Sequence, residues 1–205
     1  MKISLSDIGK RFNREWIFRH ISFEFESGNH IVITGANGSG KSTLLQLIAG
    51  AVTPNEGVIK FESDNKLIAD ENHYQYLSIA APYLELPGEM TLTEFLTFHK
   101  KFKPLIQNLS VEEVIDVLAL KKSADKQIRY FSSGMMQRVK LAQAIFSDTK
   151  VVLLDEPGTN LDEQGMGLYL SLITNYCKER LVIVSSNDPK EYSFCTGNLP
   201  VTRYK

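Results

Sequence analysis

Ile31-Val32-Ile33-Thr34-Gly35-Ala36-Asn37-Gly38-Ser39-Gly40-Lys41-Ser42-Thr43-Leu44-Leu45 is the stretch on which the fold turns. Ile31, Val32 and Ile33 are a short apolar run of strand type. Leu44, Leu45, Leu47 and Ile48 recur at the spacing of one helix face, so the residues between are a strand-to-helix loop. In that context Gly35, Gly38, Gly40, Lys41, Ser42 and Thr43 complete a phosphate-binding pattern, which arises by chance in a chain of this length with odds of about one in a hundred. The glycines let the backbone through Ala36, Asn37 and Ser39 turn so that successive N–H groups converge on phosphate oxygens at the positive end of the helix. Lys41 is placed to reach the β and γ phosphates. The Ser42 hydroxyl suits Mg²⁺, a hard ion that takes oxygen ligands. The expected ligand is a nucleoside triphosphate.

The 205 residues fit one domain with room for a sizeable core. A formal charge of −1 with no block of like charge argues against nucleic acid as the main partner. No apolar run is long enough to cross a bilayer, and Met1 to Asp7 lacks the apolar stretch of a secretory signal, so a cytoplasmic location is expected. Cys177 and Cys195 lack metal-ligand spacing and read as reduced thiols.

Working outward from the loop, Ile3 and Leu5, then Ile21, Phe23 and Phe25, alternate as half-buried strands and predict an antiparallel sheet at the N-terminus. Thr53-Pro54-Asn55-Glu56-Gly57 reads as a turn, with a strand from Val58 to Phe61. From about residue 86 to 135 the pattern becomes helical. Thr91 with Glu94 and Ser110 with Glu113 form capping-box pairs ahead of apolar helix faces. Strands resume at Val151–Leu154 and Leu181–Val184, separated by a helical pattern through Leu168, Leu172 and Ile173. Strands alternating with helices predict an α/β fold with a mostly parallel sheet.

Val151-Val152-Leu153-Leu154-Asp155-Glu156-Pro157 is a buried strand ending in two carboxylates, where an α/β sheet places ligand-binding groups. Asp155 is expected in the Mg²⁺ shell and Glu156 beside the water that attacks the γ phosphate. The plainer alternative is two acids that cap a strand at the surface.

Phe131-Ser132-Ser133-Gly134-Met135-Met136-Gln137-Arg138 leads into an apolar helix, and Asn160-Leu161-Asp162 follows the two acids. Taken in this order over nearly the whole chain, these motifs resemble the ATP-binding cassette (ABC) ATPase family. The resemblance implies a P-loop NTPase core with an N-terminal antiparallel β subdomain and a helical subdomain. It further implies ATP and Mg²⁺ as ligands and a head-to-tail dimer that drives separately encoded transmembrane permease subunits from the inner face of the membrane. Ser132 and Gly134 would contact the γ phosphate held by the opposite subunit, and Asn160 to Asp162 would cross the dimer interface. Ser132 or Ser133, and likewise Asp162, also suit ordinary helix N-caps. Phe12 falls where the family keeps an aromatic that stacks on adenine, with Trp16 as competitor and a plain core role as the alternative.

Three positions depart from the family pattern. Ser133, Gly134 and Met135 stand where two glycines and a glutamine are usual, and no glutamine occurs from Ile79 to Tyr83, where Tyr83 takes the approximate place. Asn187, after Val182-Ile183-Val184-Ser185-Ser186, replaces the family's switch histidine. Asparagine donates a hydrogen bond but carries no charge near neutral pH. Losing a charge-assisted contact costs about 1–2 kcal/mol, or roughly a tenfold slower turnover. Hydrolysis is expected to depend on Glu156 and Lys41 and to be slow because of Asn187. Rival readings are an ATP-gated clamp acting on nucleic acid or ribosomes, and a weakly hydrolysing ATP-sensing module.

Overall fold

A computed structural model describes all residues, 1–205. Two long strands, β1 (Lys2–Phe12) and β2 (Glu15–Glu26), form a hairpin, and β4 (Glu56–Ser63) and β5 (Lys66–Ile68) complete an antiparallel sheet in the order β2-β1-β4-β5. β4 starts at Glu56, so the expected Thr53–Gly57 turn closes earlier than its composition suggests. Gly57 lies in the strand at φ 79°, opposite a register shift in β1, and a Cβ there would sit 2.4 Å from the Ser6 and Asp7 carbonyl oxygens. Glycine at that point reports close backbone approach across a bulge.

The second sheet is parallel, in the order β6-β7-β8-β3-β9: β3 (His30–Thr34), β6 (Leu77–Ala80), β7 (Val151–Asp155), β8 (Leu181–Ser185) and β9 (Gly197–Pro200). Every residue of β7 and β8 is buried, the expected state of a parallel strand covered on both faces. Their side chains alternate between two cores. Val151, Leu153, Leu181 and Ile183 join Leu44, Leu45 and Ile48 of α1 (Lys41–Ile48) and the apolar face of the antiparallel sheet. Val152, Leu154, Val182 and Val184 join Val139 and Leu141 of α5 (Ser133–Ile145) and Leu172 and Ile173 of α6 (Glu163–Tyr176).

A one-turn helix, α2 (His73–Tyr76), leads into β6. Between β6 and β7 the chain forms α3 (Leu92–Phe102), α4 (Val111–Val117) and short 3₁₀ turns before α5. Thr91 and Ser110 close complete capping boxes with Glu94 and Glu113. The buried side chains of α3 and α4, including Leu92, Phe95 and Val114, share the α5 and α6 core. No helix is long and apolar enough to cross a membrane.

Candidate active site

The loop after β3 is shaped by what packs on it. Gly40, the N-cap of α1, has φ 101°, and a Cβ there would lie 2.4 Å from Ile17 Cγ2 and 3.0 Å from Phe18 Cδ1 of β2. Both the left-handed backbone and the contact with β2 demand glycine. No side chain caps α1 and no acid occupies its first turn, which leaves its N–H groups available to an anion. Lys41 is buried, and its Nζ donates to the Gly35 carbonyl at 2.9 Å and the Ala36 carbonyl at 3.4 Å. Phosphate oxygens compete well with these neutral acceptors, because they add a full opposite charge to the ammonium's bond.

A cavity of about 210 Å³ opens here, lined by Asn37, Lys41, Ser42 and Thr43, by Ile17 and by Glu156. Glu156 reaches it because the chain turns sharply at the end of β7. Its N–H still bonds the Ser185 carbonyl at 2.9 Å, but its φ is 44°, which throws the side chain out of the strand direction into the open. Asp155, one residue earlier, is buried, and its Oδ1 has no hydrogen-bond partner. An orphaned buried carboxylate oxygen is costly unless a cation answers it. Asp155 and the Ser42 hydroxyl therefore fit Mg²⁺, which takes its remaining oxygens from phosphates and water. No group of three or more His, Cys, Asp or Glu side chains is placed to hold a metal on its own.

Asn187, just beyond β8, donates from Nδ2 to Asn37 Oδ1 at 2.9 Å and so stands beside the phosphate loop. Tyr83 is half-exposed; partial burial pushes its hydroxyl up, Gln46 of α1 pulls it down by a hydrogen bond, and the charge of Asp155 raises it further. It thus stands near both Gln46 and Asp155.

The remaining predicted residues lie outside this cavity. Ser132 caps α5, its Oγ accepting from the Met135 N–H at 3.3 Å, and Asp162 caps α6, accepting from the Gly165 N–H at 2.7 Å. Within one chain both residues therefore do the plain capping work. A Cβ on Gly134 would sit 3.0 Å from the Asn160 carbonyl oxygen, and the buried Gln137 donates to the Pro157 carbonyl at 2.8 Å, so the start of α5 packs on the loop after Glu156. Phe12 is half-exposed at the end of β1, with Lys10 Nζ 5.1 Å from its ring centre. Trp16 is held by two guanidinium groups, with Arg11 and Arg19 at 5.3 and 4.4 Å, and Arg19 in turn binds Glu56 through two bonds. Cys177 and Cys195 are free, and burial pushes their thiols up to about 11 and about 12, which leaves them unreactive.

Ile17 and Gln46 carry no motif. Ile17 reads as an ordinary strand residue, and only the fold brings β2 over the loop.

A sequence profile of the ABC transporter family matches residues 18–159. The chain is 31% identical over 188 residues to the uncharacterized ABC transporter ATP-binding protein YxlF of Bacillus subtilis, covering 90% of this chain and 62% of that protein. It is 28% identical to the cytochrome c biogenesis ATP-binding export protein CcmA of Agrobacterium fabrum, covering 92% of this chain and 90% of that protein. Among solved structures, an ATP-binding cassette captured as a post-hydrolysis dimer with ADP and phosphate superposes with a TM-score of 0.81 at 21% identity, covering 97% of this chain and 94% of that one. The profile match spans the phosphate loop, the start of α5 and the acids at the end of β7, and on that extent the chain belongs to the ABC transporter family as an ATP-binding subunit.

Proposed function

We propose that this chain binds ATP·Mg²⁺ on the Gly35–Thr43 loop, hydrolyses it within a head-to-tail dimer, and drives separately encoded transmembrane permease subunits from the cytoplasmic face of the membrane. The observation that carries the reading is the convergence of Lys41, Ser42 and Glu156 on one cavity, beside an Asp155 oxygen that no protein group satisfies. The loop N–H groups and Lys41 hold the β and γ phosphates where charge accumulates in the transition state. When bound, Mg²⁺ neutralises charge on those oxygens, with Ser42 and Asp155 as its protein ligands. Glu156, exposed at its left-handed turn, orients the attacking water and takes its proton.

Ser132 and Gly134 lie outside the cavity of their own chain, which fits a role toward ATP on a second copy whose α5 start closes the site. Either an identical chain or a related one supplies that copy. The Ser132 oxygen that caps α5 keeps a free hydrogen for a phosphate. Phe12, half-exposed on β1, is the adenine platform in this reading. Turnover is slow, since Asn187 offers a neutral amide where the family uses an imidazole. Export is the first direction to test, given the export role in the name of the Agrobacterium relative. Near-neutral charge disfavours a nucleic-acid partner.

Steady-state ATP hydrolysis against protein concentration tests this, beside Lys41→Ala and Glu156→Gln. The expected outcome is a rate that rises more than linearly, falls by about 100-fold or more in Glu156→Gln with ATP still bound, and is lost with ATP affinity in Lys41→Ala. Unchanged turnover in Glu156→Gln would defeat the reading.

A further inference from the structure

Glu191 is a buried carboxylate with no part in the chemistry above. It closes the 3₁₀ turn Pro189–Glu191 that follows Asn187, and only 6% of the residue is exposed. Its Oε1 accepts the Gly158 N–H at 2.8 Å, reaching from the segment after β8 to the turn after β7. Its own carbonyl accepts the hydroxyl of Tyr169, a fully buried residue of α6, at 2.8 Å. The fit at Gly158 is close: a Cβ there would meet Glu191 Oε1 at 2.4 Å and Met166 Cε at 2.5 Å.

The location gives this contact meaning. The β7–β8 ladder pairs Asp155 with Ser185 and extends one further bond, from the Glu156 N–H to the Ser185 carbonyl. Past that point no backbone bond joins the two segments. Glu191 supplies the next tie, two residues beyond Glu156 and four beyond Asn187. The Thr159 N–H bonds the Glu156 carbonyl and the Leu161 N–H bonds the Gly158 carbonyl, so fixing Gly158 also fixes the turn around Glu156 and the start of the Asn160–Asp162 loop.

We propose that Glu191 is a positioning residue: it braces the turn carrying Glu156 against the loop carrying Asn187, so that both side chains keep one spacing across the γ phosphate. This rests on the hydrolysis reading above. Burial raises the carboxyl of Glu191, the nearby Ser186 hydroxyl and the bond from the Gly158 N–H oppose the rise, and the charges of Asp188 and Glu156 add to it. The group is thus held in place at a cost to its charge, which suits a brace more than a solvated surface acid. Its second oxygen, Oε2, is buried without a hydrogen-bond partner.

The test uses the full chain and two readouts, hydrogen exchange over residues 156–162 and steady-state ATP turnover. Glu191→Ala is expected to speed exchange there and to lower kcat about tenfold, with KM for ATP within about twofold. Glu191→Gln keeps an acceptor for the Gly158 N–H and is expected to return both exchange and kcat to within about threefold of wild type. Gly158→Ala, which displaces the carboxylate while leaving it in the chain, is expected to copy Glu191→Ala, and it serves if that variant does not fold. Unchanged exchange, faster exchange with unchanged kcat, a parallel loss of ATP affinity, or failure of Glu191→Gln to rescue would each overturn the proposal. Absence of Lys41-dependent turnover in the wild-type chain would sink the hydrolysis reading and the positioning role with it, while the exchange data would still report whether the brace exists.

Discussion

Asn187 Nδ2 and Asn37 Oδ1 lie 2.9 Å apart, joining the segment after β8 to the tip of the phosphate loop across 150 residues of sequence. The Asn187 amide carries two N–H donors, so one can hold Asn37 while the other faces a γ phosphate. An imidazolium in its place would add charge to that contact. Asn187→His is expected to raise kcat by up to about tenfold, whereas Asn187→Ala lowers it by a similar factor. Stopped-time phosphate release on both variants checks this, and a slower Asn187→His enzyme would show that the amide is the better group here.

Gly40 is occupied on both counts that matter, φ and space. Gly40→Ala is expected to abolish measurable ATP binding and to destabilise the fold by more than about 1 kcal/mol. Combining it with Ile17→Ala relieves the closest contact but neither the tight approach of Phe18 nor the left-handed strain, so stability recovers in part and binding does not. Nucleotide fluorescence titration and denaturant melts separate the two effects.

Ser132 lets capping be distinguished from phosphate contact. Ser132→Ala removes the bond from the Met135 N–H and is expected to cost about 1 kcal/mol in stability as well as turnover. Ser132→Asp restores the cap, since aspartate caps as well as serine, but sets a negative charge where a phosphate of the second subunit is expected. Recovered stability with turnover still lost supports the contact in trans; recovery of both leaves only the cap.

His99 of α3 gives the fold a pH dependence on the acid side. Burial depresses its imidazole, the Lys103 ammonium adds to that, and a bond to the Gln143 carbonyl opposes it; Nε2 lies 2.9 Å from Ser147 Oγ. The folded value lies below the unfolded value of about 6.5, so the neutral form is the one folding favours. The resulting stability is complete above about pH 6.5 and is lost as pH falls through the folded value. The difference in melting temperature between pH 7.5 and pH 5 should therefore shrink in His99→Gln, and an unchanged difference would place the acid sensitivity elsewhere.

The residues legible in the sequence are those whose role is written within a few positions. The phosphate loop, the acids at the end of β7 and the capping boxes at Thr91 and Ser110 each encode strand, turn or cap locally, and the three central strands of the parallel sheet, β3, β7 and β8, follow from their apolar runs. The short strands β5, β6 and β9 carry little periodicity and exist because a neighbour pairs with them. Ile17 over the loop and Glu191 under the Glu156 turn act only through contacts between distant segments, which no window of sequence displays. Gly57 misled for the same reason, since its composition says turn while its partner across the sheet makes it strand.

β6, β7 and β8 carry side chains into both cores, and β7 and β8 also lead directly into the acids and the amide of the site. The halves of the molecule on either side of them are therefore coupled through the same boards that hold Asp155, Glu156 and Asn187. A tilt imposed on α5 from outside therefore has a short packed route, through β6 and β7, to the atoms that would handle the γ phosphate.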